Sequence, residues 1–164
     1  MNGSGIETLD LNVRALSGTS GDDNFDFTNV EFVQLAGTIN LGDGDDVFTG
    51  STQNQLSVNL GNGNDSFISS SHDGAFGDII TGGAGDDSFA FIDDWGVSRI
   101  TDFDALSDAE TIDLSAVSAI DDFADLLANH ISQSGSDVII TDGTNTLTLT
   151  GVDINDLDAN DFLF

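Results

Sequence analysis

The sequence predicts an all-β chain: a parallel β-roll, closed at its C-terminal end by a small cap of one helix and a β-hairpin. Two observations carry the roll. The first is a nine-residue phrase of glycine, aspartate and a short apolar strand, Gly82-Gly83-Ala84-Gly85-Asp86-Asp87-Ser88-Phe89-Ala90. It recurs over residues 41–49 and 60–68, and more loosely over 18–26. An Asp at the sixth place and a Phe at the eighth hold in all four copies: Asp23 and Phe25, Asp46 and Phe48, Asp65 and Phe67, Asp87 and Phe89. The second is spacing. The inward positions run Leu16, Phe25, Ile39, Phe48, Val58, Phe67, Ile80, Phe89; each aliphatic residue precedes the next Phe by 9 residues, while the returns take 14, 10 and 13. A crossover that must close around something cannot change length, whereas one that merely passes over a surface can. Adjacent coils of a solenoid stack like on like, so one phenylalanine ladder and one aliphatic ladder follow.

Composition narrows the function. Thirty acidic side chains face two basic ones, Arg14 and Arg99, for a formal charge of −28 in 164 residues. Such a chain repels itself and needs counter-ions to be compact. High charge often signals disorder, but 38% apolar residues, with 12 Phe, supply a core once that charge is neutralised. Nucleic acid and anionic membranes are excluded as partners on charge. No stretch has the ~20 apolar residues of a membrane-spanning helix. There is no cysteine, so disulfides are excluded. The N-terminal Met1-Asn2-Gly3-Ser4-Gly5 lacks the basic and apolar regions of a signal peptide.

In chain order, residues 1–15 read as an entry segment, with apolar alternation around Ile6, Leu9, Leu11, Val13 and Leu16. Residues 16–98 form the roll and 99–164 the cap. The glycines let the backbone turn tightly with φ > 0. Asp22, Asp45 and Asp86, one place before the ladder aspartates, are expected to face solvent rather than ligate. The run Asp43–Asp46 is not an EF-hand, whose twelfth place needs a bidentate Glu where Asn54 stands here. Ser118 is placed to cap a helix over 119–131, with Asp121 and Asp122 in its first turn. Ile120, Phe123, Leu127 and Ile131 would form its apolar stripe. Residues 137–141 and 146–150 alternate around Asp142-Gly143-Thr144-Asn145, a hairpin signal. Leu157 and the terminal Phe162-Leu163-Phe164 are expected to pack on this cap.

The repeated phrase resembles the RTX (hemolysin-type calcium-binding) nonapeptide. That resemblance implies a right-handed roll and calcium between successive loops. The chemistry agrees: calcium takes six to eight oxygens at about 2.3–2.6 Å, more than one loop supplies but within reach of two. At least three ions would be framed by Asp23 with Asp46, Asp46 with Asp65, and Asp65 with Asp87. Carbonyls would come from Gly21, Gly42, Gly44, Gly61, Gly63, Gly83 and Gly85. Ile100-Thr101-Asp102-Phe103 and Thr111-Ile112-Asp113-Leu114-Ser115 look like the post-repeat signature of serralysin-type proteases. By that resemblance a further calcium would take Asp78, Asp94 and Glu110, with Asp102 and Asp113 as members or supporting partners. Ser98 and Glu110 depart from the family pattern. Asp78, on the crossover without the motif, reads equally as a solvated turn residue.

Asn160-Asp161-Phe162-Leu163-Phe164 is similar to the C-terminus of exoproteins exported by type I secretion. This implies a non-catalytic module, extracellular, whose partners are calcium, the type I secretion machinery and an N-terminal catalytic or adhesive part of one parent protein. Two alternatives are weighed. A surface adhesin or glycan-binding module would use Trp95 or Thr146, Thr148 and Thr150. A self-contained enzyme is disfavoured: His72 and His130 read as surface residues, and Gly18-Thr19-Ser20-Gly21 is not a nucleophile elbow.

Overall fold

The structure, a computed structural model, describes residues 8–9, 16–32, 37–52, 55–72, 77–107 and 109–164. Of the entry strand expected around residues 6–16, only 8–9 and Leu16 fall within them. Arg14 lies outside.

The strands are β1 (Thr8–Leu9), β2 (Leu16–Ser17), β3 (Asn24–Asp26), β4 (Glu31–Phe32), β5 (Ile39–Asp43), β6 (Val47–Thr49), β7 (Ser57–Asn62) and β8 (Ser66–Ile68). Then follow β9 (Ile79–Ala84), β10 (Ser88–Ile92), β11 (Val97–Ile100) and β12 (Thr111–Ala116). The chain ends in a helical turn α1 (Phe123–Asp125), β13 (Ile131–Ser134), β14 (Asp137–Asp142), β15 (Asn145–Leu149) and β16 (Phe162–Leu163). β1 and β4 pair with each other. The remaining strands form two sheets, in the orders β16-β12-β10-β8-β6-β3 and β13-β14-β15-β11-β9-β7-β5-β2. Successive strands of the roll, β2 then β3 and β5 through β12, therefore alternate between two faces, within each of which they pair in parallel, giving an all-β parallel roll.

The register is the one the spacing predicts. Phe25, Phe48, Phe67 and Phe89 are successive partners on one face. Leu16, Ile39, Val58 and Ile80 are successive partners on the other. Phe48 and Phe67 stack with ring centroids 5.8 Å apart and planes 10° from parallel. Above them the rings rearrange: Phe67 meets Phe91, and Phe89 meets Phe103 edge-on. Ile39, Leu41, Phe48, Leu60, Phe67, Ile80 and Phe89 are completely buried.

The motif stops before Ile100, but the solenoid does not. Ile100 pairs with Ile80, and Ile112 with Phe89, adding another coil. Leu149 then covers Ile100, and Phe162 covers Ile112. The predicted hairpin forms with Asp142 opposite Asn145, and β15 joins the roll in parallel with β11. The raw end of a solenoid is an open strand edge; here both sheets are finished by segments from the cap.

The helix differs from the expectation. It begins at Phe123, where the Asp122 carboxylate accepts the Asp125 N–H at 2.8 Å. Ser118 instead lies in a turn and donates its N–H to Asp93. β12 runs on to Ala116 and two turns closed by Leu114 and Val117 carbonyls occupy the next residues, leaving no room for an earlier start. After α1 the chain opens into a π-turn over Leu126–His130, closed by the Ile131 N–H on the Leu126 carbonyl. The wider turn rotates the apolar stripe, so Leu126 is buried and Leu127 is 47% exposed. Of the terminal residues Leu157 and Phe162 are buried, whereas Leu163 and Phe164 are exposed.

Candidate metal centre

Each motif loop leaves its strand through glycine. Gly61 and Gly63 have φ of +119° and +136°, a region open chiefly to glycine. A Cβ on Gly61 would overlap the carbonyl oxygen of Gly42, and one on Gly63 that of Gly44. Backbone carbonyls thus abut the glycines of the next coil, and only a missing side chain permits that approach.

The sixth-place aspartates form a ladder along the roll. The N–H of Asp23 is accepted by Asp46 Oδ1 at 2.7 Å, that of Asp46 by Asp65 at 2.8 Å, and that of Asp65 by Asp87 at 2.9 Å. Asp46, Asp65 and Asp87 are each 1% exposed, and the second oxygen, Oδ2, of all three has no hydrogen-bond partner. Asp23 is half-buried, and its Oδ2 accepts the N–H and hydroxyl of Thr19. Burial raises the carboxyl pKa of Asp46 and Asp87, and raises that of Asp65 to about 6. Like charges add to the shift: Asp23 on Asp46, Asp87 and Asp46 on Asp65, and Asp102 and Asp86 on Asp87. Three buried, unpaired carboxylate oxygens in one column make an environment that a cation would stabilise.

The fifth-place residues do not simply face water. Asp22 Oδ1 accepts the N–H of Asp45, Asp45 that of Asn64, and Asn64 that of Asp86, at 2.9–3.0 Å. This ladder is exposed and runs opposite to the buried one, with each side chain reaching to the following coil. Spacing showed the fifth place to be polar, but nothing in it indicated the direction of reach. Asn64 serves as well as Asp because only an acceptor is needed.

Glu110 continues the buried ladder. It precedes Thr111, which pairs with Ser88, so it stands one coil beyond Asp87. Burial raises its carboxyl to about 7, and Asp87 and Asp102 add like charge. It accepts the N–H of Asp104. Asp102 closes the last motif loop by accepting the N–H groups of Gly82 and Gly83. Asp113 accepts the N–H of Ser115 within its own turn.

Asp78 is not brought to Glu110. It lies on the opposite crossover, buried, with Oδ1 accepting the N–H of Leu56 and Oδ2 unpaired. Asp94 is exposed, with φ +63°, and its carbonyl accepts the N–H of His72. The grouping of Asp78, Asp94 and Glu110 in one site is therefore not the grouping in the structure, because Asp78 and Glu110 occupy different crossovers. Gly21 faces open space, unlike Gly61 and Gly63. His72, read as a surface residue, is buried, and so are Trp95 and Thr148, which the glycan-binding alternative would place on a surface.

Among the described residues no three acidic, histidine or cysteine side chains converge on a point. An ion in the column would take one or two carboxylates and complete its shell from backbone carbonyls, which is chemistry that suits calcium. The residues present fit that ion: the unpaired Asp46, Asp65 and Asp87 oxygens, and the carbonyls of Gly42, Gly44, Gly61 and Gly63 held against the next coil.

No family model matches the sequence. No curated protein matches it. Solved structures are similar, among them two bacterial proteins. The extracellular lipase LipA from Serratia marcescens overlaps with a TM-score of 0.43 and 13% identity, over 92% of this chain and 38% of the lipase. The AlgE6R2 subunit of the Azotobacter vinelandii mannuronan C5-epimerase overlaps with a TM-score of 0.46 and 22% identity, over 92% of both chains. The chain thus spans well under half of the lipase. With both TM-scores below 0.5, these overlaps carry no functional weight.

Proposed function

We propose that this chain is a calcium-binding β-roll of the RTX type, without catalysis of its own, that folds when calcium is supplied. One observation carries the reading: the buried Oδ2 atoms of Asp46, Asp65 and Asp87, unpaired in a single column beside glycine carbonyls. A buried anion without a partner is costly. In a chain of charge −28 the column cannot be balanced by two arginines. Calcium would be held by Asp23, Asp46, Asp65 and Asp87 with the carbonyls around them, at least three ions in all.

A site assembled from two coils exists only in the folded state, so binding free energy becomes folding free energy. Extracellular calcium modules bind at roughly 10⁻⁴–10⁻³ M. The chain would then stay unfolded in a low-calcium interior and fold outside. That order suits a folding and export region of a type I-secreted protein. Among the described residues no helix is long and apolar enough to cross a membrane.

The test is far-UV circular dichroism against free calcium, with magnesium as control because its strict octahedral geometry suits these loops poorly. A cooperative gain of β-signal with calcium is expected. A β-spectrum unchanged in excess chelator would overturn the switch, and specific turnover of protein, lipid or glycan substrates would overturn the non-catalytic reading.

A further inference from the structure

The crossover opposite the aspartate column contains a second buried acid. Asp78, 1% exposed, holds on its side the ladder place that Asp65 holds on the other. Its Oδ1 accepts the N–H of Leu56 from the coil before, at 2.9 Å, and its own N–H is donated to Ser98 Oγ on the coil after. The neighbours in this ladder are uncharged, so no second carboxylate shares the place. Asp78 Oδ2 has no hydrogen-bond partner.

Facing it is His72, 3% exposed, whose Nε2 also lacks a hydrogen-bond partner and lies at ion-pair distance, 3.8 Å, from Asp78 Oδ2. That distance is too long for a hydrogen bond. It is within the span of two ligands on one zinc-class cation, each about 2.0–2.2 Å from the metal. The backbones are pinned: the His72 N–H donates to the Asp94 carbonyl at 2.7 Å, and Ser98 Oγ donates to the Trp95 carbonyl. Below, a Cβ on Gly50 would sit 2.9 Å from Asp78 Oδ2, so glycine keeps that approach clear.

We propose that Asp78 and His72 form a cation site separate from the calcium column, and that the imidazole selects a zinc-class divalent metal over calcium. Calcium prefers oxygen ligands alone, whereas imidazole nitrogen suits zinc, copper and nickel. Among the described residues no third acidic, histidine or cysteine side chain joins the pair, so backbone carbonyls and water complete the shell. Loss of the calcium reading would leave this pair untouched, because no atom of it belongs to the column.

The test uses the full chain in saturating calcium and excess magnesium, which occupy the column and the acidic surface. Zinc is titrated by calorimetry while the imidazole resonances of ¹⁵N-histidine protein are followed. One tight zinc equivalent is expected, moving the His72 nitrogens and not those of His130, whose Nε2 is 3.5 Å from the more exposed Asp125. His72→Gln and Asp78→Asn should each weaken zinc tenfold or more, since even indirect partners of a ligand change metal affinity about 10–100-fold. His130→Gln should leave it unchanged. If the core variants fail to fold, the wild-type nitrogen shifts decide the matter alone. Absent zinc binding, binding borne by His130, or a His72 ring unresponsive to zinc would overturn the site.

Discussion

The backbone N–H of Asp46 is donated to the carboxylate of Asp65, 2.8 Å away on the next coil, leaving the other oxygen of Asp65 buried and unpaired. One side chain thus has two separate tasks. Oδ1 ties two coils together without any ion, and Oδ2 is available to a cation.

Asp65→Asn separates the two. An amide retains an acceptor for the Asp46 N–H but replaces the charged oxygen. The calcium midpoint for folding should rise about tenfold, equivalent to ~1.4 kcal/mol. Asp22→Asn, on the exposed ladder, keeps its acceptor for Asp45 and should move the midpoint little. Equal shifts in both variants, measured by circular dichroism, would argue against the column.

Acid should stabilise the calcium-free protein. The carboxyls of Asp65 and Glu110 are raised to about 6 and about 7 from ordinary values of 3.8 and 4.5. Raised folded-state values mean that the native chain holds more protons between roughly pH 4 and 7, so stability falls as pH rises through that window. In chelator the folded fraction should be larger at pH 5 than at pH 7.5. Calcium must displace those protons, so its affinity should run the other way. Easier unfolding in chelator on acidification over this range would contradict the burial assigned to the column.

Gly61→Ala should prevent the close stacking of two loops. The residue has φ +119°, and a Cβ would overlap the Gly42 carbonyl. A cost of about 1–3 kcal/mol from the backbone alone is expected, with the overlap added. Gly135→Ala is the comparison: φ is +66°, nothing lies within 4 Å, and about 1 kcal/mol is expected. Urea unfolding in saturating calcium measures both.

Phe67→Ala should cost about 3–5 kcal/mol, because its fully buried ring lies against Phe48 and Phe91. Phe25→Ala should cost less, since Phe25 is only partly buried in the first coil. Comparable losses in urea unfolding would mean that the first coil is better covered than its described residues indicate.

The roll was legible in the sequence because a solenoid writes its geometry into chain length. Nine residues from Leu16 to Phe25, and again from Ile80 to Phe89, measure one crossover, and Asp at the sixth place marks where it closes. The hairpin at Asp142–Asn145 was legible for the same reason: its partners are neighbours along the chain. Contacts between distant segments were not. Only the folded chain brings Leu149 onto Ile100 and Phe162 onto Ile112, so the spacing of the repeats does not indicate what covers the coil beyond the last motif. Spacing likewise cannot set where a side chain reaches. It placed Asp22 and Asp45 beside the ladder, but the tertiary structure aimed them at the next coil. It placed His72 in an inserted loop, but packing buried it against Asp78. Periodicity determines which residues share a face; burial and the direction of each hydrogen bond depend on what the neighbouring coil presents.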